Sequence, residues 1–216
     1  MPERCALFAG LSDRELQEAL RFFAAREGRY ARGELLKSPV DPLSAFGLVL
    51  EGSIAVSMED IDGRDMLLSH VSPGQTFGEA LCWLRENAPL TITALSPARV
   101  LWLRCGRLRE KPETPLEQTL QARFIAMLAL RTLKMNDRIQ ILSRGTIREK
   151  LNAFFTECAR DAGTADFTVP FDRAGMAAYL GVDRSALSRE LSRMRREGLL
   201  DFDKSHFTLH MQQTNE

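Results

Sequence analysis

The chain has 216 residues, of which 44% are hydrophobic and 27% are charged. This length and composition allow one large or two small globular domains with buried cores, and we predict two domains. Because 29 basic residues balance 29 acidic residues, the sequence excludes a generally polycationic protein, and any contact with nucleic acid must be local.

The sequence shows no segment that would direct the chain into or across a membrane. It contains no apolar run of about 18 residues and no charged and then apolar signal at its N-terminus. We therefore expect a cytoplasmic protein without membrane contact.

The cysteines are scattered along the chain, at Cys5, Cys82, Cys105 and Cys158. None has the CxxC spacing of a zinc or redox motif, and a cytosolic chain would keep its thiols reduced. We predict ordinary thiols at all four positions. With three histidines in the chain, metal ligands are scarce, and neither a zinc nor an iron–sulfur site is expected.

The N-terminal half begins with a predicted helix and continues as short predicted strands. Ser12 and Glu15 have the spacing of a capping box, which predicts the start of an amphipathic helix. After about Tyr30, turn residues separate short apolar runs at 45–50, 53–58, 66–71, 90–95 and 99–103. Regular spacing of this kind predicts an antiparallel β-roll or sandwich. Asp62 and Gly63, between two alternating runs, predict a hairpin turn.

The segment 73–81 interrupts these runs with the sequence Pro-Gly-Gln-Thr-Phe-Gly-Glu-Ala-Leu. Its glycines permit tight turns, and free backbone N–H groups there could cradle an anion. A loop that closes two strands explains the same sequence equally well, so both interpretations stay open.

A long helix is predicted over residues 114–142. Thr114, Pro115 and Glu117 combine an N-cap, a proline at the first helical position and a capping-box carboxylate. The first two-thirds of this helix are apolar over most of the circumference, and one small roll cannot cover so many sides. We therefore predict a homodimer formed through this helix, the alternative being a helix buried against its own chain. The break around Gly145 predicts a hinge.

Two short helices joined by a tight turn are predicted in the C-terminal part of the chain. Asp172 and Asp183 each precede a helical pattern as N-caps. Gly181 lies between them and permits the left-handed backbone that ends the first helix. This arrangement is that of a helix-turn-helix, whose second helix enters the DNA major groove.

The second of these helices has one apolar face and one polar, basic face. Its apolar stripe, which must pack inward, consists of Leu187, Leu191 and Met194. Short hydroxyls on the opposite face let a helix approach a groove, and arginines can read guanine or clamp phosphates. The predicted DNA contacts are Arg184, Ser185, Ser188, Arg189, Ser192 and Arg193, together with Arg173 and, on a predicted hairpin wing, Lys204. A surface helix pair with a solvated basic face is the alternative.

Three features together resemble the CRP/FNR superfamily of bacterial transcription regulators. They are Gly52, the Pro-Gly-x-x-Phe-Gly-Glu segment at 73–79, and the run Tyr-Leu-Gly-Val-Asp-Arg-Ser-x-Leu-Ser-Arg-Glu-Leu at 179–191. The resemblance spans nearly the entire chain and implies an α+β fold with three parts. These are an effector-sensing β-roll at 1–112, a dimerisation helix and hinge at 113–143, and a winged helix-turn-helix at 144–216. It also implies base-reading roles for Arg184, Ser185, Ser188 and Arg189 in a palindromic operator.

The resemblance also places a candidate effector site in the roll. Gly78 and Glu79 match the phosphate-loop positions of the family's nucleotide-binding members. The candidate effector contacts are Phe77, Gly78, Glu79, Ala80, Leu81, Thr91, Met127 and Arg131.

The chain departs from the family pattern for cyclic AMP. Cyclic-AMP binders carry an Arg-Ser pair about ten residues beyond the Gly-Glu pair, whereas this chain has Asn-Ala-Pro-Leu-Thr at 87–91. A buried phosphate without a cationic partner would lose a contact worth about 1.5–3 kcal/mol. We therefore predict an effector other than cyclic AMP, and Arg85 is a poor substitute for the missing arginine.

The resemblance leaves the cofactor unidentified. The iron–sulfur branch of the family uses clustered N-terminal cysteines, whereas Cys5 stands alone, so that chemistry is not expected. Haem could be ligated by His70 or by the N-terminal amine, although a lone histidine near a strand end is more often structural. The absence of a nucleophile elbow, an HExxH motif and a P-loop argues against an enzyme.

We predict a homodimeric transcription regulator that is not an enzyme. It binds double-stranded DNA, contacts RNA polymerase, and responds through its β-roll to a small-molecule, gas, redox or nitrosative signal. The effector must bind the DNA-competent arrangement more tightly than the idle one, because a ligand with equal affinity for both does not shift the equilibrium between them. The alternative is a cyclic-nucleotide or haem sensor that docks a protein partner.

Overall fold

The computed structural model describes residues 2–59, 65–86 and 88–210 of the chain. The chain divides into two compact units, with the boundary between Leu133 and Lys134. The first unit contains two antiparallel sheets, and the second contains a helical group with one small sheet. The fold class is α+β, as predicted.

The first unit opens with a 3₁₀ turn, Pro2–Arg4, and helix α1, Asp13–Phe22. The Ser12 hydroxyl accepts a hydrogen bond from the Glu15 N–H, and the Glu15 carboxylate accepts one from the Ser12 N–H. These reciprocal bonds form a capping box, which confirms the predicted helix start.

Within the described residues, eight strands form the β-roll. They are β1 (Arg26–Tyr30), β2 (Leu35–Lys37), β3 (Ala45–Glu51), β4 (Ile54–Glu59), β5 (Asp65–Val71), β6 (Thr76–Phe77), β7 (Leu90–Ala94) and β8 (Ala98–Arg104). One sheet has the strand order β1-β8-β3-β6 and the other β2-β7-β4-β5. β4 and β5 pair in antiparallel register. The Asp62-Gly63 turn predicted between them lies outside the described residues.

The segment 73–81 contains the turn that connects β5 to β6, as the loop interpretation expects, and it also starts a helix that neither interpretation included. It contains β6 and the start of a helix, α2, which spans Glu79–Leu84. Gly78 precedes α2 with φ of 79°, and a Cβ there would lie 2.2 Å from the Leu43 side chain. Only glycine fits this corner, because the backbone is left-handed and the space is already filled.

Aromatic side chains form the core that joins α1, the first sheet and the long helix α3, which spans Pro115–Leu142. Phe23, Phe46 and Phe124 are all buried. The Phe23 and Phe46 rings meet edge to face with centroids 5.9 Å apart, and Phe46 lies 5.5 Å from Phe124. Helix α3 is therefore anchored on the roll near its N-terminus.

Helix α3 begins and ends where the sequence predicts. The Thr114 hydroxyl accepts from the Glu117 N–H at 3.2 Å, while the Glu117 carboxylate accepts from the N–H of Glu113. Large apolar side chains that stay 59–61% exposed follow along the helix: Ile125, Leu130, Leu133, Met135 and Ile139. Neither α3 nor any other helix in the described part of the chain is long and apolar enough to span a membrane.

The described part of the second unit, up to residue 210, contains three further helices and a small antiparallel sheet. They are α4 (Ile147–Ala162), β9 (Asp166–Thr168), α5 (Arg173–Leu180), α6 (Arg184–Arg196), β10 (Leu200–Asp203) and β11 (His206–Leu209). The sheet has the order β10-β11-β9, and β10 and β11 form the predicted hairpin wing. Phe155 and Phe207 are buried with ring centroids 4.6 Å apart, which packs the wing on α4.

The prediction of four ordinary thiols is wrong, because Cys82 and Cys105 form a disulfide. Their Cα atoms lie 6.1 Å apart although 23 positions separate them in sequence. The roll brings the last turn of α2 beside the end of β8, and no local spacing motif reports such a long-range pair. Cys5 and Cys158 are free.

Candidate DNA-binding surface and effector site

The backbone of the helix-turn-helix is set by its capping residues. The Asp172 carboxylate accepts from the Gly175 N–H at 2.7 Å, and the Asp183 carboxylate accepts from the Ala186 N–H at 2.8 Å. Gly181 ends α5 in the left-handed conformation, with φ of 61°. The predicted helix starts and the turn are confirmed.

Helix α6 divides into a buried face and an exposed face. Leu187 and Leu191 are fully buried and Met194 is 2% exposed, which confirms the predicted inward stripe. On the other side, Arg184 and Arg189 are exposed, and neither forms a salt bridge within the described residues. Their guanidinium groups, like that of Arg196 at the end of α6, could therefore engage a ligand without first breaking an ion pair.

The serines on this face are held close to the helix backbone. The Ser185 hydroxyl donates to the Asp183 carboxylate. The Ser188 and Ser192 hydroxyls donate to the carbonyl oxygens four residues earlier, at 3.0 and 2.9 Å. Because all three side chains lie against the helix, the surface between the arginines does not protrude.

Arg193 is engaged in an ion-pair network. Its guanidinium lies 3.0 Å from the Glu197 carboxylate, and Glu197 also binds Arg148 at 2.7 Å. Hydrogen bonds from Arg148 and, to a lesser extent, Arg193 lower the pKa of Glu197. Arg148 bonds to Glu190 as well, so the first turn of α4 is tied to α6 at two positions. The sequence analysis missed Arg148, whose partners lie more than 40 positions away.

The two predicted DNA contacts outside α6 have different surroundings. Lys204 lies in the β10–β11 turn, is exposed, and has φ of 52°. Arg173 is half-buried over the rings of Phe202 and Phe207, at 4.6 and 5.1 Å from their centroids. Its buried Nη1 has no hydrogen-bond partner within the described residues, and burial lowers the pKa of Arg173. Lys204 is therefore free to meet a phosphate, whereas Arg173 is stacked against the wing.

The effector-site residues converge on Glu79, the first residue of α2. Its side chain is 4% exposed. The carboxylate accepts hydrogen bonds from the Thr76 hydroxyl and from the Arg131 guanidinium of α3. Arg131 also donates to the Thr76 carbonyl oxygen at 2.9 Å. The structure thus joins predicted residues Glu79 and Arg131, and it adds Thr76, which sequence analysis missed.

The other predicted effector contacts differ from one another in how exposed they are to solvent. Phe77 is buried in the roll, with its ring 5.4 Å from that of Trp102. Ala80 is exposed, whereas Leu81, Thr91 and Met127 are half-buried. Thr91 lies on β7 opposite Ser57 of β4.

A buried cation that the sequence analysis missed lies beside the loop that lacks the family's arginine. Lys37 is 2% exposed, and its ammonium donates to the carbonyl oxygens of Ser38, Ala88 and Leu90 at 2.8–3.2 Å. Burial lowers the pKa of Lys37. All three ammonium donors are thereby used by the backbone, so Lys37 holds this loop in place.

His70, one of the two groups considered as a possible haem ligand, is half-buried on β5. Burial lowers the pKa of its imidazole, and its Nδ1 lies 3.5 Å from the Ser72 hydroxyl. Within the described residues, no group of three or more histidine, cysteine or acidic side chains could hold a metal ion.

Two family models match this chain. The cyclic nucleotide-binding domain matches residues 27–111, and the Crp-like helix-turn-helix domain matches residues 149–212. The first covers most of the β-roll, and the second covers most of α4 together with the helix-turn-helix and the wing.

The chain is similar to known regulators along most of its length. It is 26% identical over 202 residues to the nitrogen fixation regulation protein FixK of Bradyrhizobium diazoefficiens, covering 90% of this chain and 81% of the relative. It is 25% identical to the transcriptional regulatory protein btr of Bordetella pertussis, covering 84% and 76%. The solved structure of FixK2 from Bradyrhizobium japonicum has the same fold, with a TM-score of 0.68 at 22% identity, covering 88% and 94%. The chain therefore belongs to the CRP/FNR superfamily of bacterial transcription regulators.

Proposed function

We propose that this transcription regulator reads a palindromic operator as a homodimer. In this proposal, the base-reading side chains are Arg184, Ser185, Ser188 and Arg189, and the phosphate contacts are Arg173, Ser192, Arg193 and Lys204. The observation that carries the assignment is the pair of exposed arginines, Arg184 and Arg189, on a helix whose opposite face is buried.

The chemistry of this face suits base reading. An arginine guanidinium can bind the O6 and N7 atoms of guanine with two parallel hydrogen bonds. Arg184 and Arg189 have no salt bridge to break within the described residues, whereas Arg193 must leave Glu197 before it can reach a phosphate. Arg196 also forms no ion pair with any described residue, but it lies at the C-terminal end of α6. Because the N-terminal residues of a recognition helix contact the bases, we assign sequence discrimination to Arg184 and Arg189.

The homodimer is proposed to form through residues 114–142. Regulators of this family bind DNA and act as dimers. The exposed apolar side chains of α3 support this helix as the contact, because a second copy would remove them from water. In the same proposal, residues 1–112 sense the effector, 113–143 form the dimerisation helix and hinge, and 144–216 bind DNA.

The sensed signal is proposed to be an effector or a redox or nitrosative event, and not cyclic AMP. The loop at 88–91 supplies no cation, and the ammonium of Lys37 beside it is fully used by carbonyl oxygens. Glu79 is already bonded to Arg131 and Thr76. A ligand that binds Glu79 must therefore displace Arg131. It must also supply a group that compensates the buried charge that Arg131 would otherwise neutralise. In this proposal the protein acts through DNA and RNA polymerase rather than by catalysis.

Selection of duplexes from a random-sequence pool tests the proposal. We expect the purified protein to enrich palindromic sequences whose half-sites are centred about 10 base pairs apart or a multiple of that spacing. Affinity for the enriched duplex should fall steeply as salt increases. Enrichment of no sequence at low ionic strength would contradict sequence-specific binding, and enrichment of single half-sites would contradict the dimer.

A further inference from the structure

The Cys82–Cys105 pair lies where α2 meets the strand that leads to α3. Cys82 is on the last turn of α2, and Cys105 directly follows β8. The two residues are 3% and 1% exposed. They belong to the same buried cluster as Phe46, Leu120 and Phe124, so the bond joins two segments that both pack against α3.

Helix α2 depends on long-range contacts for its position. It has six residues, and Gly78 at its N-cap provides no side-chain hydrogen bond. Its fixed points are the disulfide at Cys82, a hydrogen bond from Arg109 to the Cys82 carbonyl oxygen, and the bonds of Glu79 to Thr76 and Arg131. A helix this short is not stable by itself. Opening the disulfide would therefore remove one of the few contacts that hold it.

We infer that Cys82 and Cys105 form a reversible redox site whose dithiol and disulfide forms bind DNA with different affinity. Glu79 and Cys82 are three residues apart on α2, and Glu79 binds Arg131 of α3. Whether Cys82 is a free thiol or part of the disulfide therefore affects the position of α2, the helix whose Glu79 binds Arg131. This inference rests on the proposed function, because it names a redox couple as one signal that the β-roll senses.

The oxidant is a low-molecular-weight disulfide, RSSR. The thiolate of one cysteine attacks RSSR, which breaks the R–S–S–R bond, forms a mixed disulfide and releases one RS⁻. The thiolate of the other cysteine then attacks the protein sulfur and releases the second RS⁻. The two protons lost by the cysteines are taken up by the two RS⁻ groups, so one RSSR becomes two RSH as the protein loses two electrons.

A cavity lies close to the pair in the fold, although neither cysteine lines it, so a small thiol reaches the sulfurs only when the intervening side chains move. It has a volume of about 430 Å³ and is lined by residues that include Trp83, Arg109 and Phe124. Trp83 neighbours Cys82 in sequence, and the Arg109 guanidinium, which lies 5.7 Å from the Trp83 ring centroid, binds the Cys82 carbonyl oxygen. Arg109 thereby links the last turn of α2 to the wall of the cavity.

The two free cysteines provide a contrast. Cys5 is buried, and burial raises the pKa of its thiol. Burial also raises the pKa of Cys158 to about 12. The contrast with the pair is not burial, since Cys82 and Cys105 are as buried as Cys5; it is that Cys5 and Cys158 have no bonded cysteine partner.

The first experiment measures the couple without DNA. The full-length protein is equilibrated with mixtures of reduced and oxidised glutathione and quenched with acid. It is then unfolded, alkylated and analysed by peptide mass, so that alkylation reports the redox state and not the burial of each cysteine. We expect the Cys82 and Cys105 peptides to lose alkylation together, while those of Cys5 and Cys158 keep it. In the Trp102→Phe variant, which leaves Trp83 as the single tryptophan, the emission should change along the same titration curve. Full alkylation of Cys82 and Cys105 at every glutathione ratio would overturn the inference.

The second experiment measures the consequence for DNA. The dissociation constant for a duplex selected from a random pool is compared between the two redox forms, and we expect a difference of about fivefold or more. Cys82→Ser and Cys105→Ser should each abolish this difference, whereas Cys158→Ser should retain it. Equal affinity of the two forms would overturn the coupling to DNA.

The two experiments separate failure of this inference from failure of the proposed function. A protein that binds no duplex in either redox form contradicts the proposed function, while the alkylation result still decides whether the couple exists. Equal binding of the selected duplex by both redox forms would support the proposed function and contradict the redox switch.

Discussion

Glu79 and Arg131 join the short helix α2 to the long helix α3 through a carboxylate–guanidinium pair. The carboxylate is almost fully buried, whereas the guanidinium is about one-third exposed. Thr76 contributes on both sides, because its hydroxyl binds Glu79 and its carbonyl oxygen accepts from Arg131. The contact places a charged link between the candidate effector site and the proposed dimerisation helix.

Arg131→Ala should destabilise the protein, because it leaves the buried Glu79 with Thr76 as its remaining partner. An unpaired carboxylate in such a site is costly, and the partial exposure of Arg131 limits the effect to about 1–3 kcal/mol. Urea unfolding at neutral pH measures the loss. The double variant Arg131→Ala with Glu79→Gln should regain part of it, since a neutral amide tolerates burial better than an unpaired charge. An unchanged urea midpoint for Arg131→Ala would show that the pair contributes nothing.

The helix-turn-helix was predictable because its signals are local. Asp172, Gly181 and Asp183 act within four residues of their own positions, and the stripe on α6 has the period of a helix. The wing was predictable for the same reason, since its strands flank a turn. Capping hydrogen bonds and helical periodicity involve residues that are close together in sequence, so a short stretch of sequence is enough to recognise them.

The parts that were missed depend on distant partners. β1 has the polar sequence Arg-Glu-Gly-Arg-Tyr and becomes a strand by pairing with β8, more than 60 residues away. The six residues of α2 carry no side-chain cap, so no helix signal marks them. The Cys82–Cys105 bond, Lys37 and Arg148 likewise acquire their partners from the topology. A single sequence cannot reveal contacts that the folded sheets create.

Arg189→Ala should weaken binding to the preferred duplex by about 1–3 kcal/mol and relax the preference at one base pair. Lys204→Ala should instead weaken all sequences alike and reduce the salt slope by about one, because it contacts phosphate. Arg195→Ala is the control on the same helix, since Arg195 is held by Asp201 and stacked over Phe202. Anisotropy titrations on the preferred and mismatched duplexes distinguish the three variants. If Arg189→Ala and Lys204→Ala both bind like the wild type, the assigned DNA face is wrong.

Reduction of the Cys82–Cys105 bond should lower the free energy of unfolding by about 3 kcal/mol, as expected when a closed loop of this length is released in the unfolded chain. The measurement is urea unfolding with and without reductant. The double variant Cys82→Ser with Cys105→Ser should match the reduced wild type and ignore reductant. Cys158→Ser should respond to reductant as the wild type does, and a wild type insensitive to reductant would exclude a stabilising bond.

Asp183 should make the stability of the protein depend on acid pH. Hydrogen bonds from Ser185 and then from the Ala186 N–H lower the pKa of Asp183 below its usual value of 3.8. Its contribution is therefore fully present above that usual value and is lost as the pH falls through the lower, folded-state pKa. Asp183→Asn keeps an oxygen for the cap but does not titrate. The stability difference between wild type and Asp183→Asn should shrink as the pH falls below the usual value of 3.8, and a difference that stays constant with pH would contradict this assignment.

Ile125→Glu should convert the dimer into a monomer and thereby weaken duplex binding. Ile125 is 60% exposed on α3, and a carboxylate there would be buried without a partner when two copies pack together. Sedimentation measures the mass, and anisotropy measures the affinity for the selected duplex. Gln17→Glu, which adds the same charge at an exposed position of α1, away from the proposed interface, should stay dimeric. Since loss of one subunit removes half of the base contacts, the monomer should bind a full palindrome no better than a single half-site. A dimeric Ile125→Glu variant would place the interface elsewhere on the protein.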